Sequence, residues 1–566
     1  MDKQEKSVGQ MLKQANHLKR VERLDEAIAL YHQVIEINPH FAWAYHNLGD
    51  ALAKQGNLDE AVACHYECLK INPDSPWLFY SLGEALAELG DLEAAVYYLQ
   101  KAVEVMPDFH KFRTTLKQVS AQFIPKKYKQ FTLNKNLAPL TVVELGQGWA
   151  ANTINTVIFR HHGIITSTNY QFTAYYDSQK KLRVVKRDLD NGLITYHTIS
   201  GEYNLQDAHN SISLGFDSEG YIHICYDHHV HSLRYRRSQQ PWSIDEWTDV
   251  LSMTGKKEEN VTYPTFLSNP VDNSLIFLYR DGYSSKGQAC MKKYDVATKL
   301  WEDYPFPILS GYEQKPWTSN PYWNHPVFDA TGKLHLSYVW RTHPIGREKR
   351  VNNIGIDYAC SPDQGMAWFT IKGLTLDLPI TQVNSETVLA IPTGSNLINQ
   401  TSMATNSKGY PHIVFYANDE NDIPQYQHLW FDGFQWQHRV ISKRTQKFDL
   451  LGGGTLQIPM SRPEIVIDKQ DCVHVIYRAD FTENKMAVLT LFPDHYNFSD
   501  AAEQILWNEP LGFAEPIIDR LRWQRDAILS MLIQYNHQPQ HDQGVSYDET
   551  PVYVVDWQIL SRDSKI

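Results

Sequence analysis

Five stretches of this chain can be laid over one another: "GFDSEGYIHICYDHH", "LSNPVDNSLIFLYRDG", "VFDATGKLHLSYVWR", "ATNSKGYPHIVFYAND" and "VIDKQDCVHVIYRAD". Each reads as an apolar strand, an Asp or Asn turn, and a second strand in which apolar residues alternate with others. Such period-two alternation, punctuated by turn residues, is the pattern of half-buried strands joined by tight hairpins. Two weaker copies, "YQFTAYYDSQKKLRVVKRDL" at 170–189 and "WQRDAILSMLIQYN" at 523–536, bring the number to seven. Between copies lie aromatic-ended runs such as "WTDVLS" and "FQWQHRVIS" that read as further strands. Small antiparallel sheets recurring along one chain must protect their edges, and radial repetition achieves this where a sandwich or a single barrel would not. Residues 137–562 are therefore expected to form an all-β propeller of seven blades, with "VYVVDWQ" near the end of the chain pairing with the first blade to close the ring. His223, His335, His412 and His474 share one position in four copies, which assigns them to the architecture.

The first 110 residues follow a different rule. Pro39, Pro73 and Pro107 lie 34 residues apart, as do Ala27, Ala61 and Ala95, and Leu24, Leu58 and Leu92. Trp43/Trp77, Leu48/Leu82 and Gly49/Gly83 keep the same period. Apolar residues at helical spacing, a Gly-Asn or Gly-Asp break and a terminal proline make each unit a helical hairpin that must stack on its neighbour. The unit resembles the tetratricopeptide repeat, with three copies over residues 1–109, and the resemblance implies an α-helical solenoid that receives a peptide or protein partner. Cys64 and Cys68, one helical turn apart, read as small packing residues. Residues 110–136 lose the period, become basic and read as a short helix and linker.

A net charge of -12 argues against nucleic acid as a partner, because phosphate neutralisation needs the opposite balance. Six scattered cysteines predict neither a disulfide framework nor a zinc finger. No apolar leader and no run long enough to span a bilayer is visible, so the sequence reads as cytoplasmic, with no membrane partner.

"SPDQGMAW", residues 361–368, matches the Asp-box pattern Ser-x-Asp-x-Gly-x-x-Trp, a hairpin signature of propeller blades in which Asp363 is structural. Together with "DAHNSISLGFDSEGYIHICYDHH", "TYPTF" and "YRDG", the order of motifs resembles the BNR-repeat propellers that include the ulvan lyases. That resemblance implies a polysaccharide lyase that cleaves a uronate-containing acidic polymer by β-elimination. Such chemistry removes a proton α to a carboxylate and protonates a departing oxygen, which calls for a cation, a base and an acid. By the resemblance His209, Tyr263 and Arg280 take the catalytic positions, with either His209 or Tyr263 as the base and Arg280 on the uronate carboxylate. His229, Tyr322 and Asn324 are expected to bind substrate, while His228 and His231 read as rim residues. No cofactor is required for the reaction. The resemblance allows a structural zinc with His343 and Cys360 among its ligands, although Asn352 and Asn353 stand where a further histidine ligand is expected. A second reading is a non-catalytic propeller that binds a glycan or a protein and acts as an assembly module. A sialidase-like hydrolase, a third class, would need an arginine triad plus a Tyr with a carboxylate partner, a set that is not readily assembled from this sequence.

Overall fold

The computed structural model describes residues 2–122, 137–284, 286–312, 319–342, 351–493, 495–540 and 548–559. The chain divides into two compact units, Met1–Thr132 and Leu133–Ile566.

Seven helices make up the described part of the first unit: α1 Asp2–Arg20, α2 Leu24–Ile37, α3 Ala42–Gln55, α4 Leu58–Ile71, α5 Pro76–Leu89, α6 Leu92–Val105 and α7 His110–Gln122. α3 and α5 each end on a glycine in the left-handed region, Gly56 (φ +86°) and Gly90 (φ +87°), which closes the helix without a Cβ clash. The 34-residue spacing places small residues where paired helices touch. Ala27, Ala61 and Ala95 are fully buried, and a Cβ on Gly49 would lie 2.6 Å from the His65 ring. Gly49→Ala is therefore expected to destabilise this unit by about 1–3 kcal/mol, since a packed core has no room for the added methyl. The loss of helical circular dichroism in urea measures it, and an unchanged midpoint would show that the His65 ring yields freely. Successive odd-numbered helices are tied by Lys19 to Asn47 (2.7 Å), His46 to Ser81 (3.1 Å) and Tyr80 to Thr115 (3.0 Å).

The expected linker is in part a continuation of this solenoid. α7 buries Phe112 completely, and its ring lies 4.8 Å from that of Tyr80. Apolar burial, invisible to a search for the 34-residue period, makes α7 a cap on the last repeat. The remainder of the expected linker, residues 123–136, lies outside the described residues.

Among the described residues the second unit holds seven antiparallel sheets. Six have four or more strands. The remaining one, Ile212–Phe216, Ile222–Tyr226 and Tyr235–Arg237, has three. The expectation of seven full blades is thus corrected to six complete blades, with a three-stranded sheet between the first and second of them in sequence. The run "WTDVLS", which read as an outer strand, makes only the isolated bridges Ser238 to Trp247 and Tyr235 to Leu251. Pro241, which has no N–H to donate, lies in the intervening turn. The strand holding "VYVVDWQ" does pair with the first strand of this unit, but within the last sheet rather than the first. Thr141–Trp149 crosses to the last sheet and pairs along Glu549–Trp557, so the first strand joins the final blade.

The recurring turn and histidine form one device. Asp217, Asp329 and Asp468 each accept hydrogen bonds from the backbone N–H groups two and four residues on. The same carboxylates meet the histidine six residues on, at 3.5 Å for His223, 3.2 Å for His335 and 3.3 Å for His474. Asp177 does the same with Arg183 at 2.9 Å. Where Asn406 replaces the acid, His412 turns to His428 at 3.0 Å instead. Asp363 of "SPDQGMAW" accepts from the N–H groups of Met366 and Ala367, a turn-forming role as expected. No helix among the described residues is long and apolar enough to cross a membrane.

Candidate active site

His209 lies in the turn before Ile212–Phe216, where its backbone N–H donates to Oδ1 of Asp207 at 2.9 Å. This Asx turn aims the carboxylate at two imidazoles. Oδ1 lies 2.7 Å from Nδ1 of His209, and Oδ2 contacts Nδ1 of His229. The two rings stack with centroids 4.1 Å apart at 17°, and Phe159 covers the other face of His209 at 4.9 Å and 17°.

His229 reaches this position because the chain leaves the three-stranded sheet. Asp227 and Val230 adopt positive φ (+63° and +61°), and His229–His231 pairs with Val261–Ser268 of the following sheet, with Thr262 opposite His229. The register of that strand breaks between Thr262 and Thr265, and Tyr263 within the break has φ +57°. A buried tyrosine in the left-handed region is strained, and the strain turns its ring out of the normal alternation. The ring stands 5.2 Å from Phe159 and 6.2 Å from His209. Arg280, opposite Thr262 on the next strand, lays its guanidinium 4.8 Å over Tyr263 and 5.9 Å over Tyr322. One Nη donates to Thr262 at 3.2 Å, while Nε and the other Nη are buried without a hydrogen-bond partner. Tyr322, on Ser319–Trp323, carries Arg341 over its ring at 4.1 Å.

The electrostatics follow the geometry. Burial pushes the Asp207 carboxyl up, but hydrogen bonds from His209 and His229 outweigh it and hold the group well below the usual carboxylate range. Burial, with His209 beside it, lowers the His229 imidazole against the pull of Asp207. Burial raises the Tyr263 phenol, and Arg280 opposes that rise. At Tyr322 burial is outweighed by Arg341 and Arg280, and the phenol is lowered.

Thus His209, His229, Tyr263, Arg280 and Tyr322 share one cluster at the meeting of three consecutive sheets. Asn324 does not present its amide there. It is buried, donates to Ser337 at 3.0 Å and accepts from the N–H of Thr401 at 2.8 Å, tying neighbouring sheets together. His228 is also not at a rim. It is fully buried, accepts from the Arg234 N–H at 2.7 Å, and burial pushes its imidazole down to about 3, whereas His231 is exposed. Sequence reading missed Asp207, Phe159 and Arg341. Only Asp207, two residues before a histidine, carried a readable signal.

His343 lies outside the described residues. Cys360 is buried in Asn353–Ser361 with its thiol raised by burial, and its Sγ lies 3.8 Å from the Thr370 carbonyl. Among the described residues, the group of three ligand-type side chains with donor atoms within 4.8 Å of one another is Asp207, His209 and His229.

Comparison with known proteins places these features in context. The BNR repeat-containing family matches residues 170–444, which hold all five clustered residues. Tetratricopeptide-repeat families match residues 40–108 and 21–56. An ulvan lyase from Alteromonas sp. (strain LOR) is 23% identical over 262 residues, which cover 41% of this chain and 52% of that protein. The chain therefore spans about half the length of this curated relative. Among solved structures, the polysaccharide lyase Uly1 superposes with a TM-score of 0.55 at 15% identity, covering 75% of this chain and 99% of that one. A PL25 ulvan lyase gives 0.54 at 13% identity, covering 73% and 95%. Likeness at this identity establishes the fold, a propeller of the kind those lyases use.

Proposed function

We propose that the propeller is a polysaccharide lyase acting on a uronate-containing acidic polymer by β-elimination, and that the tetratricopeptide repeats dock a peptide or protein partner. The observation that carries the reading is the cluster of an Arg, two His and two Tyr side chains, the set such a reaction demands. Arg280 faces the uronate carboxylate, where a guanidinium with unpartnered N–H groups donates to it and stabilises the charge that builds as the C5 proton leaves. The electron pair of the C5–H bond becomes the C4–C5 double bond, the C4–O4 bond breaks, and O4 takes a proton. His209 and Tyr263 share these two proton transfers, with either as the base. His229 and Tyr322 hold the sugar. The ulvan lyases among the similar proteins, one of them solved with -[GlcA(1-4)Rha3S]- bound, favour a glucuronate-bearing sulfated polymer as the first substrate to try. On the repeats, Trp43 and Trp77 hold equivalent positions in successive units and remain 54% and 41% exposed, as an aromatic contact for a partner requires.

A binding-only propeller is the second reading, favoured by the burial of Arg280 and Tyr322 at 1% and 2% exposure. The two are separated by incubating the protein with a panel of uronate polysaccharides and their carboxyl-reduced forms. Ultraviolet absorbance from a double bond conjugated to the carboxylate should rise with the acidic polymer only. Binding without any such rise, on every polymer, would overturn the lyase.

A further inference from the structure

We propose that Asp207 is the positioning residue of this site, fixing the tautomer and the direction of both His209 and His229 through one carboxylate. Its consequence for turnover rests on the lyase reading above, whereas its consequence for the two imidazoles does not.

Each carboxylate oxygen serves a different ring: Oδ1 meets Nδ1 of His209 at 2.7 Å and Oδ2 meets Nδ1 of His229. An ionised carboxylate accepts only, so both Nδ1 atoms must carry hydrogen. In the neutral form of each ring Nε2 is then left as a lone-pair acceptor. The rings are nearly parallel, 17° apart with centroids at 4.1 Å, so the two Nδ1–H vectors run side by side onto the two oxygens. That geometry separates hydrogen bonding from metal capture. A cation shared by the two Nδ1 atoms lies in the plane of each ring, which requires the planes to converge on it. Stacked, nearly parallel planes do not converge, so the trio Asp207, His209 and His229 is built for protons.

The carboxylate is itself held. The His209 N–H binds Oδ1 at 2.9 Å, and the Asn210 N–H binds the Asp207 carbonyl at 3.1 Å, so the turn fixes the acid before the rings meet it. Phe159 closes the far face of the stack. Sliding either ring would break its bond to Asp207 or its stacking, so both Nε2 atoms keep a single direction.

Tautomers are read by two-dimensional 15N–1H correlation on the histidine-labelled full chain, with the two rings assigned by loss of signal in His209→Gln and His229→Gln. In the unaltered protein each ring, when neutral, should show hydrogen on Nδ1 and none on Nε2. Hydrogen on Nε2 of either neutral ring overturns the proposal without any variant at Asp207. In Asp207→Asn the amide can donate to one Nδ1, so at least one ring should switch tautomer, while Asp207→Glu keeps both acceptors and should restore the original pattern. Against the substrate found active, Asp207→Asn should lose about a hundredfold in kcat with little change in KM. Unchanged tautomers in Asp207→Asn overturn the positioning role. Switched tautomers in a protein that never cleaves any uronate polymer support it and sink only the lyase reading.

Discussion

Arg280→Ala is expected to lower kcat/KM on a uronate polymer by about 10²–10³, the loss seen when a preorganised donor to developing charge is removed. The guanidinium stands at the centre of the cluster, and its Nε and one Nη have no hydrogen-bond partner although fully buried. A donor left unpaired in a dry site is costly unless a ligand completes it, and an anionic acceptor such as a carboxylate completes a guanidinium N–H most strongly. The substitution also removes a cation from the faces of Tyr263 and Tyr322. Both phenols are held down in part by Arg280, so both should rise when it is gone, and with them any pH optimum that depends on a phenolate. Arg280→Lys should recover little, because a compact ammonium cannot span two carboxylate oxygens while lying over two rings. His209→Ala should lose about 10²–10⁴ in kcat as a proton-transfer group. The measurement is the initial rate of unsaturated product. Parental rates in either variant would remove that residue from the chemistry.

Much of this architecture could be read from sequence because its devices are local. A 34-residue period needs only small residues at Ala27, Ala61, Ala95 and Gly49 to place helices in contact, and those positions repeat. The recurring histidines read as structural, and the reason lies six residues upstream in Asp217, Asp329 and Asp468. Blade count failed where composition and hydrogen bonding part company. "WTDVLS" has the residues of a strand, yet the segment before it turns at Pro241 and leaves only two isolated bridges. At the site, the positions taken from the family resemblance hold together for His209, His229, Tyr263, Arg280 and Tyr322, because each sits on or beside a readable strand. Asn324 shares the strand end with Tyr322 but turns its amide to Ser337 and Thr401, a distinction of side-chain direction that spacing cannot carry. Phe159 stands far from His209 in sequence and is joined to it only by folding.

Glu515→Ala is the substitution expected to cost the propeller most, about 3–5 kcal/mol, because it leaves a buried guanidinium without its counter-charge. Glu515 is 2% exposed and accepts from Nε of Arg462 (2.8 Å), from the Arg462 backbone N–H (2.9 Å) and from the Ile158 N–H (2.9 Å). Burial alone would lower the Arg462 pKa, and the partner carboxylate outweighs it. The pair also reaches the candidate site: the Arg462 guanidinium lies 5.1 Å over Phe159, whose other neighbours include the rings of His209 and Tyr263. Loss of Glu515 should therefore appear twice, as a lower midpoint of urea unfolding followed by tryptophan fluorescence and as a looser His209. The double variant Arg462→Met/Glu515→Leu separates the causes. Apolar replacement of both partners removes the unpaired charge and should recover most of the stability. The two backbone N–H groups still lose their acceptor, so recovery should stop short by about 1–3 kcal/mol. If the double variant is no more stable than Glu515→Ala, the stability of this region comes from those backbone hydrogen bonds, and the ion pair serves chiefly to hold Phe159 beneath His209.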